Sequence, residues 1–403
     1  MERILFIITT NVNMGDLSLC LEWVNELGRK EFQHAFVLDR SLQHIIPSED
    51  TLFFYEKDLH VKKSILEAAS TFKADVIVFA SNSYWNIRGQ KGAETGIWDD
   101  EILNLKIPLL SFDPLEGLTE FYIDLWDRKA SYPPLPENIW SLRDSPNTSS
   151  TSNIRHFRIL KRFEQLTDTK KNEILKCLGV DMKKKTVIFP IAKNCYLDSR
   201  KVFYDYYVQL ARLFNECRTE AVQFLILAPE KIHEFDICKN VVQIGHQSNE
   251  RFLEILKASD IYLTDCGVAS SFLHAMSSSI PSVLLRNSYN SRDKVCEDNK
   301  RLMEFSQKKI SGKISFIFDR LYPYQVFPYG MVDLFNYFEK IYHTEECYLP
   351  VEVFESDNFS NKISSLLSDT QTRRSLIDNC NELRSLFMKL QSPASIIEEV
   401  LSR

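Results

Sequence analysis

The chain has 403 residues, more than one hydrophobic core usually organises, which predicts two domains. Hydrophobic residues make up 44% and charged residues 26%, the composition of an ordinary globular protein. The net charge of -6 and the absence of a concentrated basic run argue against nucleic acid as the main partner. We therefore expect a small molecule or another protein as the partner.

The nine cysteines are scattered along the chain, and none forms a Cys-x-x-Cys pair. An odd number without motif spacing predicts free thiols in a reducing compartment and no metal site. The apolar run near the N-terminus is too short for a signal peptide, and no later run reaches the roughly 20 apolar residues of a transmembrane helix. These features predict a cytoplasmic protein without a transmembrane segment.

The first part of the chain alternates strand-like and helix-like segments. Ile4–Thr9 is a continuous apolar run, typical of a strand buried on both faces. After a polar loop, Leu17–Leu27 places apolar residues at helical spacing. The alternation predicts βαβ units and a parallel sheet. The remaining segments are strands at Ala35–Leu38, Thr51–Phe54, Val76–Ala80 and Pro108–Ser111 and a helix at Ser64–Phe72.

A polar segment, Ser145–Asn153, contains no residue that would bury well and predicts a linker. A helix at Asp168–Leu178 then precedes a second α/β series. Its strands are predicted at Thr186–Pro190, Gln223–Ala228, Val241–Ile244, Ile261–Thr264 and Ser282–Leu285. Its helices are predicted at Lys201–Asn215, Asn249–Lys257 and Ser270–Ser277. Past Asn290 the pattern is irregular until two amphipathic helices near Ser360–Leu367 and Thr370–Leu390.

These segments predict an α/β fold with two Rossmann-like domains that face each other across a cleft. The N-terminal domain would span residues 1–150 and the C-terminal domain residues 151–345. Helices in residues 346–403 would pack back on the domains. In open α/β sheets, ligands bind at the carboxyl ends of the strands, so we expect the functional residues there.

The strongest local signal for a ligand site is the segment Ile261–Leu285. Its first strand ends at Asp265, and its helix opens with Ser270 and Ser271. Gly267 would allow a ligand to approach the backbone closely, and the free amides at the helix N-terminus favour a diphosphate. The alternative is that Ser270 caps the helix and Gly267 only turns the chain.

The order of elements in residues 241–285 resembles the second domain of GT-B glycosyltransferases. The shared pattern is a strand, a polar turn, an amphipathic helix, a second strand, a loop and a further helix. The resemblance implies that the backbone of Gly245, His246 and Gln247 contacts the base of a nucleotide. It also implies that Asp265–Ser271 faces the pyrophosphate.

Two further residues are donor-site candidates on this resemblance. His274 lies one helical turn after Ser270, on the face that would reach a phosphate or a sugar hydroxyl, although a packed histidine is the alternative. Many GT-B enzymes carry an acidic residue near this place. Serine and histidine stand there in this chain, which leaves the identity of the donor open. Lys193 lies after the strand Thr186–Pro190, where these enzymes often place a phosphate ligand. A lysine supplies a point charge for that role, and a surface lysine is the alternative.

Gly15 and Asp16 stand where the loop after the first strand becomes a helix. With Met14 they resemble the Met-Gly-Asp of lipopolysaccharide heptosyltransferases, inverting GT-B enzymes in which the aspartate is the proposed general base. The resemblance implies that Asp16 deprotonates the acceptor hydroxyl and that Gly15 lies beside the donor. Burial can raise the pKa of a carboxyl group toward neutrality, where it accepts protons. The alternative is that Asp16 is the helix N-cap.

Candidates for the acceptor side lie in two loops of the first domain. Tyr84, Trp85 and Arg88 follow a predicted strand in a polar and aromatic loop, and loops carry function disproportionately. Asp113 follows another strand, where an Asp-Pro turn explains it equally well.

The resemblance implies transfer of a sugar from a nucleotide-diphosphate donor to a small-molecule or peptide acceptor, with inversion and with no metal or further cofactor. One alternative is an enzyme like the nucleotide-sugar 2-epimerases. Another is a non-catalytic nucleotide-sugar-binding protein on the same scaffold. The pattern leaves the sugar, the base, the acceptor and the oligomeric state open.

Overall fold

The computed structural model describes residues 1–9, 14–55, 61–81, 98, 100–113, 115–132, 134–146, 153–202, 206–217, 221–287, 326–327, 329–353, 355–368 and 371–403. The chain forms two compact units. The first comprises Met1–Phe121, Lys129–Phe163 and Ser385–Arg403, and the second comprises Tyr122–Arg128 and Glu164–Arg384. No helix within these ranges is long and apolar enough to cross a bilayer.

The first unit contains a seven-stranded parallel sheet. Its strands are β1 (Glu2–Ile7), β2 (Phe32–Asp39), β3 (Thr51–Tyr55), β4 (Val76–Phe79), β5 (Leu109–Phe112), β8 (Trp140–Arg143) and β9 (Ile154–His156). They lie in the order β3-β2-β1-β4-β5-β8-β9. Two short strands, β6 (Glu120–Ile123) and β7 (Arg128–Ser131), lie outside this sheet.

Helices cover both faces of this sheet: α1 (Met14–Leu27), α2 (Val61–Phe72), α3 (Asp100–Leu103) and, from the end of the chain, the C-terminal helix Pro393–Leu401. The alternating side chains of β1 explain this arrangement. Ile4 and Phe6 belong to a core with Trp23 of α1, whereas Leu5 and Ile7 belong to a separate core with α2. A strand with apolar side chains on both faces needs a cover on each side, as its sequence predicts.

The second unit contains a six-stranded parallel sheet in the order β12-β11-β10-β13-β14-β15. These strands are β10 (Lys185–Pro190), β11 (Val222–Leu227), β12 (Val241–Ile244), β13 (Ile261–Thr264), β14 (Ser282–Arg286) and β15 (Tyr348–Glu352). The helices, in chain order, are α4 (Asp168–Cys177), α5 (Lys193–Val202), α6 (Tyr206–Glu216), α7 (Asn249–Ala258), α8 (Ser270–Ser277), α9 (Val332–Tyr342), α10 (Ser356–Leu367) and α11 (Gln371–Phe387), and the C-terminal helix is α12. Short 3₁₀ helices occupy Arg40–Ile45, Asp124–Trp126, Leu160–Phe163 and His233–Ile237.

Both sheets share one strand order. Counted along the chain within each unit, the strands lie as third, second, first, fourth and fifth. The order reverses between β1 and β4 in the first unit and between β10 and β13 in the second. Connections leave in opposite directions at such a switch point and open a crevice outside the carboxyl ends of the strands, which is where open α/β sheets bind their ligands.

The α/β fold class is confirmed, and all predicted strands are present. The single helix predicted at Lys201–Asn215 is instead a pair, α5 and α6, and α5 begins earlier, at Lys193. The pattern missed strands β6–β9. It also missed α9 and β15, which lie in and after the irregular stretch past Asn290.

The units divide the chain at other places than the predicted domains do. The predicted linker Ser145–Asn153 lies inside the first unit, because β9 follows it and pairs with β8 in the first sheet. The first unit therefore continues to Phe163. Residues 346–403 contain a strand besides the predicted helices, since β15 completes the second sheet, and α12 packs in the core of the first unit.

Candidate functional site

The switch point of the second unit brings together two of the predicted donor segments. The chain after β10 leads within three residues to Lys193, an exposed side chain that begins α5. The chain after β13 leads through Asp265 and Gly267 to α8. Because β10 and β13 are parallel neighbours, both connections leave the sheet at the carboxyl ends of its strands, which we call the carboxyl edge. The turn at Gly245 follows β12 at this edge, two strands beyond β10.

Asp265 is a buried carboxylate at this edge, with 6% of its surface exposed. The hydroxyl of Tyr206, the first residue of α6, donates a hydrogen bond to it. Burial raises the pKa of Asp265 to about 6, although the hydrogen bond from Tyr206 opposes this shift. A negative charge repels a diphosphate, so Asp265 is suited to accept hydrogen bonds from hydroxyl groups rather than to bind phosphate.

Ser270 does not cap α8, which was the alternative interpretation of this segment. The N-cap is Ala269, and within the described residues no side chain forms a capping hydrogen bond there. Ser270 is exposed in the first turn, and Ser271 shares a hydrogen bond of 2.8 Å with the hydroxyl of Tyr262 on β13. His274 is buried, with 6% exposure. An uncapped helix N-terminus presents free amides and a positive dipole end, the arrangement that binds anions.

Gly267 and Gly245, the two glycines of this edge, differ in how much space surrounds them. A Cβ atom at Gly267 would lie 2.5 Å from Cε2 of Phe335 on α9, so the aromatic ring itself requires a glycine here. Within the described part of the chain, and apart from its two chain neighbours, no atom lies within 4 Å of the corresponding position at Gly245. The predicted close approach of a ligand therefore suits Gly245, whereas Phe335 already occupies the space beside Gly267.

A small cavity lies next to Asp265 and Gly267. Its volume of about 20 Å³ has room for roughly one water molecule. Arg286 at the end of β14 and Asn336 of α9 contribute polar groups to its wall. Arg286 also pairs with Glu352, at 3.4 Å between Nε and Oε1.

The turn after β12 is held by its own side chain. Gln247 donates from Nε2 to the carbonyl oxygens of Gly245 at 3.0 Å and of His246 at 3.1 Å. Gly245 and His246 are exposed. Gln247 thus orders the turn, and the surface beside Gly245 and His246 is open to a ligand.

Asp16 lies at the switch point of the first unit, in the first turn of α1. The helix begins at Met14, so Asp16 is inside the helix and is not its N-cap. Only 8% of its surface is exposed, and burial raises its pKa to about 7. Among the described residues, no side chain forms a hydrogen bond or an ion pair with its carboxylate. Burial, and then the charge of Asp16, raise the pKa of the Cys20 thiol one turn further along.

Of the four predicted acceptor residues, the structure describes only Asp113. Tyr84, Trp85 and Arg88 lie outside the described residues. Asp113 follows β5, as expected, but its carboxylate is held by Arg143 of β8, with 2.9 Å between Oδ2 and Nη2. This ion pair explains Asp113 as a structural residue.

Gly15, the other predicted residue of the first switch point, lies half-buried in the first turn of α1.

No group of three or more metal-ligating side chains is found in the described part of the chain.

Of three solved structures with the same fold, two are glycosyltransferases by name and the third holds a nucleotide sugar. The spinosyn rhamnosyltransferase SpnG, complexed with thymidine diphosphate, is 12% identical and covers 99% of this chain and 100% of its own, with a TM-score of 0.55. Alr3699/HepE of Anabaena, in complex with UDP-glucose, is 12% identical, with coverages of 100% and 99% and a TM-score of 0.52. The calicheamicin glycosyltransferase CalG4 is 10% identical, with coverages of 100% and 99% and a TM-score of 0.54.

These similarities confirm the predicted fold: the chain has the GT-B fold, with two Rossmann-like domains. Residues 23–403 match DUF6365, a family of unknown function, and the chain belongs to that family. No curated protein matches the sequence.

The contact between Gly267 and Phe335 yields a first prediction. Gly267→Ala should lower the free energy of unfolding by about 1–3 kcal/mol, because the added methyl group overlaps the ring. Gly245→Ala is the matched control and should change it by less than about 0.5 kcal/mol. Urea denaturation measures both. Phe335→Leu should recover part of the loss in the Gly267→Ala background, and equal effects of the two alanine substitutions would contradict the packing described here.

The buried charge of Asp16 yields a second prediction. Its pKa is about 7 in the folded protein and about 3.9 in an unfolded chain, so ionisation costs stability as the pH rises from about 4 to about 7. Asp16→Asn removes this cost. Its stability advantage over the wild type should grow by about 2–3 kcal/mol between pH 5 and pH 8.

Denaturation of both proteins at the two pH values measures this difference. Asp168→Asn, at an exposed first-turn aspartate of α4, should show no such growth. An advantage that is constant with pH would mean that Asp16 ionises at its ordinary pKa.

Proposed function

We propose that the protein is a glycosyltransferase that moves a sugar from a nucleotide-diphosphate donor to a hydroxyl group of a small-molecule or peptide acceptor. The observation that carries the proposal is Asp16, a buried carboxylate at the switch point of a GT-B fold, with its pKa raised to about 7. Burial of this kind is costly for stability, and a group held near neutral pKa is suited to accept and release protons.

The donor diphosphate is assigned to the switch point of the second unit. The uncapped N-terminus of α8 and the ammonium group of Lys193 both lie at this edge and both favour negative charge. When the sugar leaves, the diphosphate gains charge, and these groups stabilise it without a metal ion or a further cofactor. SpnG and HepE, named above, were crystallised with thymidine diphosphate and UDP-glucose respectively.

The remaining donor contacts are divided by their chemistry. The open surface at Gly245 and His246 is assigned to the nucleotide base, because no described atom beyond the two chain neighbours lies within 4 Å of the Cβ position of Gly245. Asp265 is assigned to a hydroxyl group of the donor, since its carboxylate accepts hydrogen bonds and repels phosphate. On this assignment, Asp265 is the acidic donor contact that the sequence lacks at Ser270 and His274.

The proposed reaction is a single displacement. The ionised carboxylate of Asp16 takes the proton of the acceptor hydroxyl as the hydroxyl oxygen attacks the anomeric carbon of the donor. The bond between this carbon and the diphosphate oxygen breaks, and its electron pair leaves with the diphosphate. Attack opposite to the leaving group inverts the configuration of the anomeric carbon.

No feature of the described residues favours the epimerase-like or the non-catalytic alternative over this reaction. The reaction also needs no residue of the chain beyond one base and the groups that hold the donor. Glycosyl transfer is therefore the simplest chemistry for a lone buried carboxylate at the first switch point.

Kinetics of Asp16→Asn test the proposal. UDP-, TDP- and GDP-sugars are first titrated by calorimetry to find the donor, and slow hydrolysis of the bound donor then serves as the turnover assay. Asp16→Asn should lower turnover by at least 100-fold, as expected for loss of a general base, and leave the dissociation constant of the donor nearly unchanged. Since only the ionised carboxylate accepts a proton, wild-type turnover should rise about tenfold per pH unit up to a pH of about 7.

Three results would contradict the proposal. Failure of every nucleotide sugar to bind removes the donor site. Loss of donor binding in Asp16→Asn makes Asp16 a structural residue or a donor ligand. Conversion of the bound sugar nucleotide into an epimer, visible by NMR, replaces glycosyl transfer with epimerisation.

A further inference from the structure

The hydrogen bond between Tyr206 and Asp265 joins residues 59 positions apart in the sequence. Both side chains are buried, with 1% and 6% exposure respectively. The ring of Tyr206 stacks on Phe327, with 4.5 Å between centroids, and meets the ring of Tyr207 edge-on at 5.0 Å. Packing therefore fixes the position from which the hydroxyl of Tyr206 donates.

Several polar groups surround the carboxylate of Asp265, but their roles differ. From α6, Tyr206 donates to it, and Tyr207 is close enough that the charge of Asp265 contributes to raising the pKa of Tyr207, after burial. From β13, Tyr262 has its hydroxyl bonded to Ser271. Cys266 is the adjacent residue in the chain.

From β14 and α9, Arg286 and Asn336 line the cavity beside Asp265, and Arg286 is paired with Glu352. Tyr206 is thus the one side chain among the described residues that donates a hydrogen bond to this carboxylate.

This arrangement sets two opposing effects on one group. Burial favours the neutral form of Asp265, whereas the hydroxyl of Tyr206 favours the ionised form. A neutral carboxyl group carries a proton that competes with a hydroxyl donor, and an ionised carboxylate accepts hydrogen bonds only. The protonation of Asp265 therefore decides how strongly it accepts a hydrogen bond from a ligand hydroxyl, since an ionised acceptor forms the stronger bond.

We propose that Tyr206 is a positioning residue that holds Asp265 ionised and oriented toward a hydroxyl group of the donor, so that this pair sets the pH dependence of donor binding. The inference rests on the proposed function and extends it to a residue that does not itself touch the donor. A bound diphosphate adds negative charge near Asp265, which makes the hydrogen bond from Tyr206 more important in the complex than in the free protein.

The test compares Tyr206→Phe with Tyr207→Phe, a matched control on the same helix whose hydroxyl does not bond Asp265. Carbon-13 NMR of the side-chain carboxyl groups, assigned with Asp265→Asn, gives the pKa of Asp265 in the free proteins. Calorimetry with the nucleotide sugar that binds the wild type gives the dissociation constant between pH 5 and pH 8. Melting temperatures check that each variant folds.

In Tyr206→Phe, the pKa of Asp265 should rise by about one unit or more, and the midpoint of the binding curve should move upward by the same amount. Donor binding at pH 6 should weaken by about fivefold, because the ionised fraction of Asp265 falls from about one half to about one eleventh when its pKa rises from about 6 to about 7. Tyr207→Phe should leave both values near those of the wild type. Incorporation of 3-fluorotyrosine at position 206 keeps the ring and strengthens the hydrogen-bond donor, so the pKa of Asp265 should fall.

The outcomes separate this inference from the proposed function. An unchanged pKa of Asp265 in Tyr206→Phe and in the fluorinated protein overturns the inference, whether or not a donor binds. A shifted pKa with an unmoved binding curve also overturns it and leaves the proposed function standing. Absence of donor binding by the wild type overturns the proposed function, and with it the role assigned to this pair in donor binding.

Discussion

The feature on which the rest of the structure depends is the strand order of the two parallel sheets. In each unit the first strand lies in the middle, with the second on one side and the fourth on the other. The connections after the first and fourth strands therefore diverge and do not cover the carboxyl ends between them. Asp16 follows β1 and Asp265 follows β13, so both carboxylates lie at such points. The sheets are built from apolar runs, and burial of these two groups is a consequence of where those runs end.

The same burial has different results at the two positions because their partners differ. Asp16 has no hydrogen-bond donor or cation among the described residues, and its pKa rises to about 7. Asp265 accepts a hydrogen bond from the hydroxyl of Tyr206, and this bond limits the rise of its pKa to about 6. A buried carboxylate without such a bond is suited to take a proton, whereas one held ionised by a hydrogen bond is suited to accept a further hydrogen bond from a ligand hydroxyl. Local environment, rather than residue type, thus distinguishes the proposed base from the proposed donor ligand.

Strands β1–β5 and β10–β14 and most helices were predictable, because buried parallel strands are continuous apolar runs and surface helices have a helical apolar period. The same periodicity placed α8 at its observed bounds, whereas α1 begins at Met14, three residues before the predicted start at Leu17. Contacts over long sequence distances left no such pattern. The hydrogen bond from Tyr206 and the packing of Phe335 on Gly267 depend on which elements become neighbours in the sheet. The pairing of Asp113 with Arg143 likewise required knowing that β5 lies next to β8.

The position of the bound nucleoside diphosphate tests the proposed donor site most directly, and a crystal structure of the protein with its nucleotide sugar measures that position. We expect the diphosphate between Lys193 and the N-terminus of α8, with a donor hydroxyl within hydrogen-bond distance of Asp265. A diphosphate bound away from the edge of the sheet at which β10 and β13 end would contradict the account.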